Sequence, residues 1–341
     1  MKIAKITDNH FGVSKGSNLF LQSSLAWFKD FFIPELKKRN IDTIVHLGDL
    51  FDNRSSLDIK VLNEVLSLFR NELSEFKIHL IVGNHDIAYR DRIDVNSIEC
   101  LRGFPNVTII DKNTMLDADI ALCPWVVNKD ELVSFLVENK PKVVLGHFEV
   151  LTGKIKDSVD GIPPSLFTGV KYVYSGHYHS RSVVKYKDGE VRYIGSCYHL
   201  NRSDIGEERG FSILDTDTFE SELVKNNEIS IKFVEIEYPQ VLNADDIRGN
   251  MIDLKVDISK EGYNEKEFND YVAMLESLNP SAPPTIKVDR TDIRVIEDFD
   301  MSGATSTKEI LIRYVKSLKY DWVLEEKILA KIELLYRKLE K

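Results

Sequence analysis

From its first residues the chain alternates short apolar runs with longer stretches whose apolar residues recur every three or four positions. The runs "KIAKIT", "TIVHLGD" and "IHLIVGNHD" have the length and β-branched content of strands. The stretches between them, "LQSSLAWFKDFFIPELKKRN" and "LDIKVLNEVLSLFRNEL", carry an apolar stripe at helical spacing. This rhythm predicts βαβαβ. Beyond it "VTII", "ADIALCPW", "KVVLGHF", "KYVYSGHYH", "SVVKYK" and "VRYIGS" are strand-like with few helices between them, which predicts packed sheets. The pattern gives a layered α/β sandwich flanked by helices over residues 1–225.

The pattern then changes. "SIKFVEIEYPQ" and "MIDLKVDIS" read as strands and "EKEFNDYVAMLESL" as a helix, with the prolines of "PSAPPT" closing the unit, so residues 226–300 are expected to form a small α+β cap domain. In residues 301–341, Ser306 and Glu309 have the spacing of a capping box, opening a helix with Ile310, Leu311, Tyr314, Val315 and Leu318 on one stripe. A second helix is expected from about Asp321, with Leu324, Ile328, Ile332 and Leu335 inward. A C-terminal helical pair results.

Composition sharpens this picture only in part. The 341 residues are 43% hydrophobic, enough to bury a sizeable core. Neither a membrane span nor a leader segment is evident, which gives a cytoplasmic expectation. The three cysteines, Cys100, Cys123 and Cys197, form no C-x-x-C pair and are expected as buried thiols. The net charge of −10 argues against broad electrostatic adhesion to nucleic acid. Residues 301–341 carry a net +3, leaving −13 on residues 1–300. Some of those carboxylates can face metal ions rather than water.

The strand-like runs share one peculiarity: several stop at a polar cluster. These are "TDNH" (7–10), "GDLFD" (48–52), "GNHD" (83–86), "GH" (146–147) and "GHYH" (176–179), and they hold five of the eight histidines. A lone D-x-H is ordinarily a polar turn. Together, at strand ends, the clusters can meet in one cleft, because layered α/β folds bind ligands beyond the carboxyl ends of their strands. Gly48, Gly83, Gly146 and Gly176 are expected to provide tight turns that aim the next side chain. Carboxylate, amide and imidazole donors without thiolate suit Mn²⁺, Fe²⁺, Zn²⁺ or Mg²⁺, and the carboxylate share favours Mn²⁺. So many donors call for two ions, which in such sites lie roughly 3.5–4 Å apart.

D-x-H, G-D-x-x-D, G-N-H-D, G-H and G-H-x-H, in this order, resemble the calcineurin-like metallophosphoesterase signature. Within that superfamily "GDLFDNR", "LIVGNHD", "LCPW", "SGHYH" and "RYIGS" resemble the SbcD-type double-strand-break repair nucleases, and the compact length and short tail are similar to their bacteriophage members. The resemblance implies that Asp8, His10 and His179 hold one ion and Asn84, His147 and His177 the other, with Asp49 bridging. His85 would protonate the leaving oxygen, and Asp52, where many relatives have His, would orient and charge His85. It also implies a Mn²⁺-dependent exonuclease and single-strand endonuclease acting on single- and double-stranded DNA ends. The expected setting is replication, recombination and repair in a bacterial or phage-infected host cytoplasm. The expected partners are an SMC-like coiled-coil ATPase docked on the C-terminal helical pair and a second copy of the chain, with no membrane.

Outside the motifs, Arg54, Arg90, Arg92, Arg181 and Arg202 are candidates for DNA phosphate contacts, with a surface charge the more ordinary role. Tyr89 and Tyr178 are placed to stack on an unpaired base, with packing the more ordinary role. His46 is expected to be structural, His79 has no evident role, and His199 lies near the cleft motifs. The stripe Leu57, Val61, Val65, Leu68, Ile93, Ile98 and Leu101 is shared between core and, by the resemblance, a two-fold interface. Two rivals remain: a phosphatase on the same fold and a non-catalytic scaffold. Val82 stands where protein phosphatases of this superfamily carry Arg, and the intact donor set speaks against a scaffold.

Overall fold

The strand-like runs pair into two six-stranded sheets laid face to face. The first has the order β12-β11-β1-β2-β3-β4. Its strands are β1 (Lys2–Ile6), β2 (Thr43–His46), β3 (Lys77–Ile81), β4 (Val107–Ile110), β11 (Arg209–Asp215) and β12 (Ser221–Asn226). β1 to β4 run parallel, joined by helices, and β11 and β12 add an antiparallel margin. The second sheet has the order β5-β6-β7-β8-β10-β9. Its strands are β5 (Thr114–Met115), β6 (Ile120–Cys123), β7 (Val143–His147), β8 (Tyr172–Gly176), β9 (Ser182–Lys185) and β10 (Glu190–Tyr193), with β6, β7, β8 and β10 parallel. The predicted layered α/β sandwich is the fold observed. This computed structural model describes residues 1–151, 158, 160–226, 229–260, 262–289, 307–317 and 322–339.

Side-chain alternation sets the layers. Ile3, Val45, Leu47 and Ile81 of the first sheet meet Leu122, Val143, Leu145 and Tyr174 of the second in the sandwich interior. Their neighbours Ala4, Ile6, Ile44, Ile78 and Leu80 face the other way, under Leu21, Phe28, Phe32, Val61, Val65 and Leu68 of the flanking helices. Ala121, Val144 and Val173 lie under Leu132 and Leu136 of the helix Lys129–Asn139. Each fully buried Leu, Ile or Phe contributes roughly 1.5–3 kcal/mol against exposure, so a one-residue slip in β1 or β2 would be prohibitive. Lys5 is a charged exception in the interior. Its ammonium lies 3.1 Å from the Tyr174 ring centre and donates to Ser221 Oγ at 2.9 Å. Burial, with Arg181 and Arg192 nearby, pushes its pKa well down.

The first long helix is not regular. It runs as Asn18–Ala26, a π-helical turn Trp27–Phe32, then Ile33–Lys38. Pro34 explains the widened turn, because it has no N–H to offer the carbonyl one turn back and its ring crowds that carbonyl. The dimer stripe is corrected here. Val61, Val65, Leu68, Ile98 and Leu101 are buried in the chain's own core, with Leu57 and Ile93 half-buried against it. The five buried side chains are therefore not free to face a second copy. Cys123 and Cys197 are buried as expected, but Cys100 is exposed.

Residues after 226 form β13 (Phe233–Glu237), β14 (Met251–Asp257) and β15 (Thr285–Asp289) in one sheet, with the helices Ala244–Ile247 and Glu265–Ser277. This has the α+β content expected of the cap. Most of it belongs to the same compact unit as the sandwich, which comprises Met1–Lys255 and Asn264–Lys287. Arg202 is part of the reason. Its Nε donates to both carboxylate oxygens of buried Asp253, at 2.9 and 2.8 Å, and its Nη2 to Thr285 Oγ1 at 2.9 Å, so it is an internal tie rather than a free phosphate contact.

The second unit comprises Val256–Tyr263 and Val288–Lys341. In it the helices Thr307–Ser317 and Trp322–Leu339 pair, with Lys308 and Glu333 at 2.8 Å. Ser306 of the capping box and Leu318 lie outside the described residues, as do the side chains of Leu324 and Leu335. Among the described residues no helix is long and apolar enough to cross a membrane.

Candidate metal centre

The parallel strands of both sheets release their chains at one edge, and the polar clusters follow directly. β1 leads into Asp8 and His10, β2 into Asp49 and Asp52, β3 into Asn84, His85 and Asp86, β7 ends on His147, and β8 leads into His177 and His179. The first two loops are zipped together by main-chain bonds: Asp8 N to Gly48 O at 3.0 Å, His10 N to Asp49 O at 3.2 Å and Phe11 N to Leu50 O at 2.8 Å. The buried Asp86 carboxylate accepts from the N–H groups of Gly83 (2.8 Å), Asp49 (2.9 Å) and Leu50 (3.1 Å), which ties the third loop to the second. Asp8, His10, Asp49 and His177 all have positive φ, at 51°, 44°, 58° and 90°. Such backbone is uncommon outside glycine, though Asp and His adopt it more readily than most residues, and its clustering here marks loops that the surrounding structure over-determines.

Only one of the four strand-end glycines is needed for its own turn. Gly48 has φ 102°, whereas Gly83, Gly146 and Gly176 have no positive φ. Gly83 is instead required for space: a Cβ there would collide with the Asp49 carboxylate and backbone.

The donors converge in two groups. In the first, His10 Nε2 lies 3.2 Å from His179 Nε2 and 3.7 Å from Asp8 Oδ1. In the second, Asn84 Oδ1 is 2.9 Å from both His147 Nε2 and His177 Nδ1, and Asp49 Oδ2 is 3.3 Å from His147 Nε2. Asp49 Oδ2 is also 3.8 Å from His10 Nε2, so one carboxylate stands between the groups. Its Oδ1 accepts from His85 N at 2.8 Å. The sets Asp8/His10/His179 and Asp49/His147/His177 each place three donor atoms within 4.8 Å of one another.

Electrostatics favours cations here. His10 is pushed up to about 10: burial opposes its charge, but Asp52, Asp8 and Asp49 outweigh it. His147 rises to about 9, with burial outweighed by Asp49. Asp8 falls to about 2, burial being overcome by the imidazoles of His10 and His147, and Asp49 is likewise lowered against its burial by His147 and His10. Burial and the His147 charge push His177 down to about 4, and burial lowers His179. Ionised carboxylates that draw protons onto buried imidazoles call for positive charge, and divalent ions would supply it with the imidazoles neutral. The donor set fits two such ions.

The bonds behind the donors set their tautomers. His147 Nδ1–H donates to Leu47 O at 2.7 Å, leaving Nε2 for a metal. His10 Nδ1 faces Asp52 Oδ1 at 3.3 Å, off the line of a good hydrogen bond. The Asp52 carboxylate, expected beside His85, thus stands at His10 Nδ1 and also lies within 4.8 Å of a His85 ring nitrogen. His85 is held by the Asp52 main chain instead, donating from Nδ1 to its carbonyl at 2.7 Å. The His85 and His10 rings lie 4.8 Å apart, and His85 forms a third close group with His10 and Asp52, which shares His10 with the first donor set.

Two supports were not evident from the motifs, and a third involves His46, expected to be structural. Glu149 Oε2 lies 3.9 Å behind His177 Nε2; it stands two residues after His147, a spacing that could have flagged it. Arg209 and Asp204 form a buried pair at 2.7 Å, and the same guanidinium donates to the His179 carbonyl. His46 accepts from Gly48 N at its Nδ1 (3.2 Å) and donates from Nε2 to Asn9 Oδ1 at 2.7 Å, while Tyr198 OH donates to Asn9 O at 2.9 Å. Burial holds His46 neutral, with its pKa down near 3.

The remaining expectations divide. Arg54 is half-buried and Arg90 exposed, and neither has an ion pair among the described residues. Arg92 is exposed and paired with Asp94. Arg181 is corrected: its Nη1 bonds Ile194 O and its Nη2 donates to Ser212 Oγ at 2.7 Å, which commits the guanidinium to the inside of the sandwich. Tyr89 is exposed beside Arg92, and Tyr178 packs on Tyr193. His199 bonds Glu207 O and Phe233 N, away from the donors.

Comparison with known proteins agrees with this geometry. The family model described as calcineurin-like phosphoesterase matches residues 1–181. Over 236 residues the chain is 31% identical to Exonuclease subunit 1 of Enterobacteria phage T4, covering 67% of this chain and 68% of that one. Over 251 residues it is 24% identical to a subunit of the nuclease SbcCD of Staphylococcus epidermidis, covering 63% and 66%. The chain thus spans about two thirds of the length of these relatives.

Proposed function

Because the chain belongs to the calcineurin-like phosphoesterase family, we propose that it is a metal-dependent DNA nuclease, hydrolysing phosphodiesters at DNA ends with two Mn²⁺ ions. The observation that carries this is the convergence of donors from five strand ends into two groups with Asp49 between them. Asp8, His10 and His179 would hold one ion, and Asn84, His147 and His177 the other. Bound there, such ions would supply Lewis acidity for an attacking water and positive charge for the phosphorus oxygens. Mn²⁺ is favoured by a donor set of carboxylate, amide and imidazole without thiolate.

The chain's own chemistry centres on His85. Its Nδ1–H is anchored on the Asp52 carbonyl, which leaves Nε2 to carry a proton to the leaving oxygen. Asp52 orients His10 from behind, and Arg54 and Arg90 are the guanidinium groups left for DNA phosphate. The relatives are named as subunits, which supports an assembly role. We place an SMC-like coiled-coil ATPase on the helical pair, where Leu311 and Tyr314 are exposed. Pairing with a second copy would need a surface other than the buried stripe.

Incubation with Mn²⁺ and end-labelled single- and double-stranded DNA, beside a phosphomonoester, tests the reading. Metal-dependent strand cleavage with a slow monoester reaction is expected. Monoester turnover without DNA cleavage would make the chain a phosphatase on this fold.

A further inference from the structure

Beside the ion groups lies a cavity of about 470 Å³ whose wall toward the donors is formed by His177 and His179. Tyr178 and Val184 line its apolar side, and Ser180, Ser182 and Ser203 stand exposed at its rim. The Tyr178 ring is held in place from behind: it meets Tyr193 edge-on at 4.7 Å between ring centres and lies 4.9 Å from His177. Tyr193 is itself anchored, its hydroxyl accepting from Val150 N at 2.8 Å. The aromatic wall therefore cannot fold into the space it borders.

The charge around this cavity decides what fits it. Among the described residues no carboxylate, Lys or Arg lines it. Arg181, next to Ser180 and Ser182 in sequence, is turned into the sandwich, and Arg209 is taken up by Asp204 and the His179 carbonyl. A phosphate has nothing to bind there except through the adjoining ion groups. An uncharged planar ring with hydrogen-bonding edges has the half-buried Tyr178 ring, whose own hydroxyl is buried, to pack on and the rim serine hydroxyls to meet. We propose that this cavity receives the unpaired nucleobase of the nucleotide whose phosphate is cut, with Tyr178 as the stacking residue. The inference rests on the nuclease reading and deepens it. A base enters such a cavity only when out of its stack and pair, so single strands and frayed ends are the preferred substrates.

The test uses a labelled single-stranded oligonucleotide and the same strand carrying one abasic tetrahydrofuran residue, under single-turnover conditions with Mn²⁺. Wild type should cut the bond at the abasic residue about tenfold more slowly than the same bond in the intact strand, the loss expected for one stacked base. Ser182→Trp, which fills the cavity from its exposed rim, should cut the intact strand at the abasic rate while still binding two Mn²⁺ by calorimetry. Tyr178→Phe should keep the discrimination and Tyr178→Leu should lose it. Equal cutting of the intact and abasic bonds by wild type would overturn the base subsite while leaving the nuclease reading intact. Wild-type cutting of the intact strand by Ser182→Trp would also overturn it. Absence of any Mn²⁺-dependent DNA cleavage by wild type would instead overturn the nuclease reading, and the subsite with it.

Discussion

The two donor groups each hold two imidazoles, joined by Asp8 in one and by Asn84 in the other, and they differ further in what stands behind His10 and His147. Behind His147 is a main-chain carbonyl, Leu47 O at 2.7 Å, in a fully buried setting. Behind His10 is a carboxylate, Asp52 at 3.3 Å, whose side chain is 35% exposed. A carbonyl fixes the tautomer without adding charge, and the fold alone maintains it. A carboxylate also makes the imidazole a stronger donor, but through a side chain that solvent screens. The His147 ring is thus set by backbone geometry, and the His10 ring by a side chain that can be changed alone. The difference makes the two ions separable by experiment.

The largest expected effect removes both groups at once. Asp49→Ala should abolish DNA cleavage, because this carboxylate reaches both groups and also holds the His85 main chain. Full activity at limiting Mn²⁺ would sink the bridging assignment. Next is a change that should spare both groups: His85→Ala should still bind two Mn²⁺ and DNA but cut roughly 10²–10⁴-fold more slowly. Calorimetry beside single-turnover cleavage separates the cases, since loss of a metal equivalent would make His85 a ligand. Asp52→Asn sharpens the comparison most. It should weaken one ion by about tenfold, the low end for loss of a carboxylate behind a ligating imidazole, and leave the other unchanged. Equal weakening of both would erase the distinction drawn between the groups.

The smallest effect lies outside the comparison and serves as its control. His79 in β3 is buried with neither ring nitrogen bonded, and burial pushes its pKa down to about 4. The neutral ring is favoured on folding. Its contribution is complete above the ordinary histidine pKa and is lost as pH falls from about 6.5 toward 4, because the unfolded chain takes up the proton first. His79→Leu should therefore lose about 2 kcal/mol less stability than wild type between about pH 7 and pH 4.5. Urea unfolding at both values measures this, and identical losses would contradict it.

The sandwich and the meeting of the five clusters were legible because both follow from local pattern. Apolar runs declare strands, parallel strands release their ends at one edge, and side chains next to those ends share a cleft. What stands behind the donors was not legible, since it depends on contacts between residues distant in sequence. Nothing in "GDLFD" says that Asp52 turns to His10 while its carbonyl holds His85. Arg181 reads as a surface cation beside "GHYH" and folds inward only because Ile194 and Ser212 are there to receive it. The apolar stripe through Val61 and Ile98 declares a buried face but not which surface buries it. The helix over residues 18–38 was legible, but its widened turn was not read from the sequence.

The central claim, a paired-ion centre for phosphodiester hydrolysis, is tested most directly by titrating the metal-free protein with Mn²⁺ while following cleavage of labelled single-stranded DNA. Two equivalents of unequal affinity should bind per chain, with cleavage absent after chelation and appearing only as the second equivalent fills. A single equivalent at saturation, or strand cleavage that persists in chelator, would contradict the account.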